Sequence, residues 1–273
     1  MLKTEMRNPA SMHLDRMDTL SMLRLINREN ARAVEAVEEA LPAIARAVDA
    51  VTAAFRAGGR LFYIGAGTSG RLAVADAAEC PPTFGVSPDM VVGILAGGER
   101  CMTRAGEGEE DNGEAGRRDL LQYQPGPRDV VVGSSAAGGA AYVLGAVAAA
   151  REAGSVTVGL TCNADSRLAA ETDIAICTDT GPEVVTGSTR MKAGTAHKLV
   201  LNMLSTCGMV QTGKVRENLM INLKPTNQKL RRRMIGIVTA LTGMEAEAAE
   251  ALLEQHGWSI PAAVDSLKDP EDR

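Results

Sequence analysis

Two acidic runs have a composition that suits proton transfer, and three short glycine- and hydroxyl-rich runs suit the binding of an oxyanion. Glu79 lies in Asp76-Ala77-Ala78-Glu79-Cys80-Pro81-Pro82-Thr83, where the proline pair is expected to stop a helix and leave Glu79 in its final turn. A carboxylate there faces the negative end of the helix dipole, a placement that suits a general acid; by pattern alone it is equally a solvated helix-end residue. Glu107-Gly108-Glu109-Glu110-Asp111 crowds four carboxylates. Crowding can tune one acid against another, although such a run is also an ordinary hydrated turn, and the pattern does not choose among the four.

Gly65-Ala66-Gly67-Thr68-Ser69-Gly70 follows the apolar run Arg60–Ile64. Its glycines let the backbone turn and bring amides close to an oxyanion, and Thr68 and Ser69 add hydroxyl donors. The run matches G-x-G-x-x-G, but the next apolar run ends in Leu95-Ala96-Gly97-Gly98-Glu99, without the well-placed acid that a dinucleotide ribose needs. Gly133-Ser134-Ser135-Ala136-Ala137-Gly138-Gly139 repeats the device, and two such loops at neighbouring strand ends can converge on one phosphate. Thr186–Thr195 opens a helix, with Ser188 or Thr189 as its expected N-cap and Arg190 and Lys192 as partners for phosphate or carboxylate. Each run has a plainer structural reading, as a tight turn, a flexible Ala/Gly turn or a cap. The anion-binding candidates are Gly67, Thr68, Ser69, Ser134, Ser135, Gly138, Ser188 and Lys192. His13, His197 and His256 lack metal-ligand spacing, and Cys80, Cys101, Cys162, Cys177 and Cys207 form no C-x-x-C pair, so no metal site is expected.

The elements that position these runs follow from periodicity. Asp18-Thr19 is expected to cap a short helix through Leu20, Leu23 and Ile26, with a second helix over Ala31–Arg56 that Gly58-Gly59 stops. After Arg60–Ile64, further β-type runs cover Met90–Ala96, Val130–Gly133, Ser155–Thr161 and Ile174–Thr178. Helices are expected from about Arg71, over Ala140–Ala153 and over Thr189–Val210. Continuous apolar strands alternating with helices predict a buried parallel sheet, whose ligands bind beyond the carboxyl ends of the strands. A basic stretch, Lys229–Arg233, precedes Ile235–Leu267, which reads as three short helices broken at Gly243 and Gly257. The expected division is residues 1–57 as a helical segment, 58–228 as the strand-and-helix domain and 229–273 as a small appendage.

The chain of 273 residues is 45% hydrophobic and 23% charged, an ordinary soluble balance, with 3% aromatics and a net charge of −5. Few aromatics and no basic excess count against nucleic acid as a partner. No run of about 18 apolar residues occurs and the amino-terminal stretch is not a signal peptide, so the cytoplasm, without a membrane partner, is the expected location.

The runs GAGTSGRL (Gly65–Leu72), ECPPT (Glu79–Thr83), EGEED (Glu107–Asp111), EVVTGSTRMKAGTAHKLVLNMLST (Glu183–Thr206) and GKVRENLMINLKPTN (Gly213–Asn227) resemble those of N-acetylmuramic acid 6-phosphate etherases. The resemblance spans roughly residues 4–265. It implies the sugar isomerase (SIS) fold, a parallel sheet flanked by helices, with a UBA-like helical tail, usually as a homodimer. It implies cleavage of the lactyl ether of a sugar phosphate with no cofactor or metal, Glu79 as acid and Glu110 as base. The chain departs from the family pattern in the second loop, where Ala137 and Ala140 replace a serine and a threonine. Other readings on the same fold are an aldose–ketose isomerase and a non-catalytic sugar-phosphate-sensing regulator.

Overall fold

The computed structural model describes residues 2–106 and 108–267. Three 3-10 turns, Lys3–Glu5, Pro9–Ser11 and Leu14–Arg16, lead into helix α1, Thr19–Arg56. Asp18 caps α1 by accepting from the Ser21 amide at 3.1 Å. The expected break between two helices is absent, because Asn27–Asn30 contain no glycine or proline and the buried stripe runs on from Leu25 to Ala33 and Val37.

The chain then alternates: β1 (Leu61–Gly65), α2 (Gly67–Phe84), β2 (Val91–Leu95), α3 (Arg100–Thr103), α4 (Gly113–Leu121), β3 (Val130–Ser134), α5 (Ala141–Glu152), β4 (Val156–Thr161), α6 (Arg167–Ala170), β5 (Ile174–Cys177) and α7 (Lys192–Gln211). Each strand lies within one residue of the apolar run that predicts it. The five strands form one parallel sheet in the order β2-β1-β3-β4-β5. Phe62, Ile64 and Val131 are buried against Tyr142, Val147 and Leu168, so two aromatics and a set of aliphatics close the layer between sheet and helices. In register, Gly65 pairs with Leu95 on one side and Ser134 on the other. The chain leaves β1 toward β2 and returns on the opposite side as β3. The carboxyl ends of β1 and β3 therefore flank the switch point of the sheet, the place where such folds open a crevice.

Two helix boundaries differ from the sequence reading. Helix α2 begins at Gly67, not near Arg71, because the glycine-rich run is itself the first helical turn. It continues through Pro81 and Pro82 to Phe84, five residues past Glu79, so Glu79 is not in the final turn. Burial of Cys80 and Phe84 outweighs the donors that the prolines lack. The stop comes at Gly85, whose amide donates to the Pro81 carbonyl at 2.9 Å and whose φ is +66°. Helix α7 begins at Lys192 rather than Thr189. Its cap is neither Ser188 nor Thr189 but the buried Glu183 carboxylate, which accepts from the Lys192 and Ala193 amides at 3.3 and 2.9 Å.

A short antiparallel pair, β6 (Val215–Arg216) and β7 (Leu219–Met220), precedes α8 (Gln228–Thr242), α9 (Ala246–Gln255) and α10 (Ile260–Asp265). The three carboxyl-terminal helices are those predicted, except that the first starts seven residues before Ile235 and includes the basic stretch. Gly243, at φ +73°, ends α8. By contacts the described residues divide into one unit of 2–78 and 89–208 and a second of 79–88 with 209 onward. The second unit has its own core, in which Ile221 and Leu223 pack with Met234, Val238, Leu253 and Ile260.

Candidate active site

The first turn of α2 is pressed directly onto the end of β1. A Cβ on Gly70 would meet the Gly65 carbonyl oxygen at 2.4 Å, and one on Gly65 would meet the Gly70 nitrogen at 2.6 Å, so both positions require glycine. Gly67, at φ +54°, makes the turn. The first helical bond runs from the Gly70 amide to the Ala66 carbonyl. The amides of Gly67, Thr68 and Ser69 therefore precede any intrahelical acceptor, and the positive end of the helix dipole faces the crevice. The Thr68 methyl packs against α7 at Gly194, with a Cβ there only 3.3 Å away.

Across the crevice β3 ends at Ser134. Ser135 donates its amide to the Leu160 carbonyl at 3.0 Å, and its Oγ accepts from the Gly138 amide at 3.1 Å, which leaves its hydroxyl proton for another partner. The two loops enclose a cavity of about 270 Å³, lined by Gly67, Thr68, Ser69, Ser134 and Ser135, with Glu5, Glu110 and Thr189 also on its wall. This is the convergence that the paired loops predict. Ala137 and Ala140, the two departures from the family pattern, line the same cavity and present methyl groups.

Glu110 reaches the cavity from a 3-10 turn, Glu109–Asp111, between Gly108 and the Asn112 cap of α4. It also lines a neighbouring cavity of about 300 Å³ that shares Ala66, Gly67 and Thr68. Arg71 holds the wall of this second cavity by donating to the carbonyls of Cys101 and Arg104 at 2.9 and 3.0 Å. The other acids of the run are differently placed. Glu109 pairs with Arg100 at 2.6 Å and packs beside Gly97 and Gly106, Asp111 lines neither cavity, and Glu107 lies outside the described residues. Among the described acids of the run, Glu110 is the one that borders both cavities, a distinction the spacing could not make.

Four nominated residues lie elsewhere or act internally. Gly138 uses its amide on Ser135 and its carbonyl on the Leu168 amide, and a Cβ would strike Ser166 at 2.4 Å; its role is to shape the loop. Ser188 does not line the cavity, although Gly187 and Thr189 on either side do. Lys192 is buried and paired with Glu29 of α1, which also accepts from Asn8, so its charge is spent on joining α7 to the amino-terminal segment. Glu183 already occupies the amino terminus of α7, so that helix end is not open to a ligand anion. Burial pushes the Glu183 carboxyl above the usual range, against the two backbone amides that favour its charge. Glu79 is solvent-exposed on α2, groups by contacts with the second unit, and is not among the residues lining either cavity.

Glu5 is the site residue that no sequence signal marked. Its turn is fixed by buried Thr4 and Asn8: Asn163 donates to Thr4 Oγ1 at 3.3 Å, and Asn8 donates to the Pro182 carbonyl at 3.1 Å. A cavity walled by hydroxyls and a helix amino terminus, with two carboxylates on its rim, suits a phosphate whose attached group carries hydrogen-bond donors and an acidic C–H. Among the described residues no three His, Cys, Asp or Glu side chains gather as a metal-ligand set, and no helix is long and apolar enough to cross a membrane.

Known proteins resemble this chain in sequence and in fold. Residues 43–151 match the family model of the glucokinase regulatory protein N-terminal SIS domain. An N-acetylmuramic acid 6-phosphate etherase from Serratia proteamaculans is 52% identical over 263 residues, covering 96% of this chain and 89% of the relative. Relatives of the same name from Gloeobacter violaceus and Bacillus licheniformis are 53% and 47% identical, covering 96% and 99% of this chain and 86% and 89% of their own lengths. Among solved structures, phosphoheptose isomerase GmhA from Neisseria gonorrhoeae aligns with a TM-score of 0.54 at 18% identity, over 70% of this chain and 98% of its own. That likeness establishes the fold, a five-stranded SIS-type sheet.

Proposed function

The chain belongs to the N-acetylmuramic acid 6-phosphate etherase family, and from that premise we propose that it is a carbon–oxygen lyase acting on N-acetylmuramic acid 6-phosphate. The products are N-acetylglucosamine 6-phosphate and D-lactate. The observation that carries the reading is the joining of 52% identity over 96% of the chain with a hydroxyl-lined cavity at the amino terminus of α2.

The phosphate takes the amides of Gly67–Ser69 and the hydroxyls of Thr68, Ser69, Ser134 and Ser135. With the sugar ring open, the C2 hydrogen lies beside an aldehyde and is acidic enough for a carboxylate base; the base in this reading is Glu110, which lines the cavity. The C2–H electron pair forms the C2=C bond as the lactyl C–O bond on the neighbouring carbon breaks. An ether oxygen leaves poorly as an alkoxide, so it must be protonated as it departs, and the family motif assigns that proton to Glu79. Water then adds across the double bond, its hydroxyl replacing lactate and a proton returning to C2. The balance is one water consumed, with no oxidation and no cofactor. We further propose that residues 58–228 carry this chemistry, with 1–57 bracing it and 229–273 as an appendage, and that the protein acts as a cytoplasmic homodimer.

The deciding experiment is D-lactate release from N-acetylmuramic acid 6-phosphate in D2O. Stoichiometric lactate and a product carrying deuterium at C2 are expected. Glu110→Gln should lose both, whereas Glu79→Ala should lose lactate while keeping its fold. Full activity in either variant sinks the assigned roles. Stabilisation by the sugar without lactate would transfer the chain to the isomerase or regulator reading.

A further inference from the structure

The amino-terminal turn Lys3–Glu5 is fastened against the loops that follow β4 and β5, and it delivers a bare carboxylate to the cavity. Asn163 holds one side of the turn. Its Oδ1 accepts from the Lys3 amide at 3.0 Å, and its Nδ2 donates to Thr4 Oγ1 at 3.3 Å and to the Ala136 carbonyl at 2.9 Å. Ala136 lines the cavity, so the turn is tied to the second loop itself. The Lys3 ammonium pairs with Asp179. Further along, Asn8 and Ser11 donate to the Pro182 and Val184 carbonyls at 3.1 and 2.8 Å. Thr4 is 1% exposed, whereas Glu5 beside it is exposed. Glu5 Oε2 stands 3.5 Å from where a Cβ on Gly187 would be, and Gly187 and Glu5 both line the cavity. Among the described residues no hydrogen bond or ion pair engages the Glu5 carboxylate.

A carboxylate beside an anion site opposes the anion. It also only accepts hydrogen bonds, so what it recognises in a ligand is donors. The phosphate ester of a polyol has both ends: an anion for the amides of Gly67–Ser69, and hydroxyls next to it for an acceptor. Opening the ring of a hexose 6-phosphate turns the ring oxygen into a C5 hydroxyl, on the carbon adjoining the one that bears phosphate. With the C4 hydroxyl this makes a vicinal pair of donors, a match for the two oxygens of a carboxylate.

We propose that Glu5 is a specificity-determining residue that accepts hydrogen bonds from the C4 and C5 hydroxyls of the ring-opened sugar phosphate, selecting a polyol phosphate over a plain anion. The inference rests on the reading of this cavity as the sugar-phosphate site. It gives the fastened turn a purpose: Asn163 and Asn8 hold in place an acceptor that makes no bond of its own within the described residues.

Titration of the full chain with two probes tests it. One is inorganic phosphate. The other is N-acetylglucosaminitol 6-phosphate, an open-chain ligand that carries both hydroxyls and is not turned over. Glu5→Ala should raise Kd for the alditol phosphate tenfold to a hundredfold, as expected for hydrogen bonds to a charged group, while Kd for inorganic phosphate stays the same or falls. Glu5→Gln keeps one acceptor oxygen and should lie between the parent and Glu5→Ala for the alditol. A structural role would weaken both probes together, so a parallel loss overturns the proposal, as does an unchanged alditol Kd in Glu5→Ala. If neither Thr68→Val nor Ser69→Ala alters the binding of inorganic phosphate, the reading of the cavity fails and takes the proposal with it; if they weaken it and Glu5→Ala leaves the alditol unaffected, only the role of Glu5 falls.

Discussion

At the scale of single residues, the site is a set of small donors whose directions are set by their neighbours. Ser135 is held by the Gly138 amide, Thr68 by its methyl contact with α7, and Glu110 by the turn between Gly108 and Asn112. Ala137 tests how much each hydroxyl contributes. It lines the cavity with a methyl group, and a serine there would add one donor to an anion without enlarging the loop much. Ala137→Ser should lower the KM for the sugar phosphate roughly threefold to tenfold with kcat little changed, the signature of added uniform binding. Steady-state kinetics on the variant decide it, and an unchanged KM would mean that position 137 does not face the phosphate.

At the scale of elements, the informative residues are the glycines that allow close approach. Gly65 and Gly70 let α2 begin against the end of β1, which sets the helix amino terminus at the crevice. Gly85 ends the same helix in a left-handed conformation, and a Cβ there would lie 1.9 Å from the Asn222 carbonyl oxygen. Gly85→Ala should therefore cost at least about 2 kcal/mol, from the left-handed backbone and the clash together. Thermal or urea unfolding reads this directly, and a variant as stable as the parent would show that the 79–88 segment has freedom to move.

At the scale of the molecule, the sheet is tied at its amino-terminal edge as well as at the active end. The Asp129 carboxylate accepts from Arg60 Nη2 at 2.8 Å, from the Arg60 amide at 2.8 Å and from the Gly126 amide at 3.0 Å, joining the starts of β1 and β3. Burial works to raise its proton affinity, but the Arg60 guanidinium and the two amides prevail and hold the carboxyl below the usual aspartate range. The folded value is thus lower than the unfolded one. Its contribution is complete above the ordinary aspartate pKa and is lost as pH falls below about 4 toward the folded value. Asp129→Asn should cost about 3 kcal/mol at neutral pH and flatten the acid limb of a stability–pH curve. A parallel loss at every pH would place the stabilisation outside this carboxylate.

The sequence alone determined the alternation of strands and helices, because five continuous apolar runs separated by helical stretches have one common solution, a buried parallel sheet. It also showed that the loops after Ile64 and Gly133 could converge, since both end strands and both carry glycine and hydroxyls. It could not determine that α2 would run through two prolines, because burial of Cys80 and Phe84 lies outside local propensity. Nor could it show that Lys192 is committed to Glu29, that Glu183 fills the amino terminus of α7, or that Glu5 reaches the cavity. Those facts depend on segments more than 150 residues apart for Lys192–Glu29 and Thr4–Asn163. Spacing along a chain fixes which groups can face the same way; only packing across the sheet fixes which of them meet.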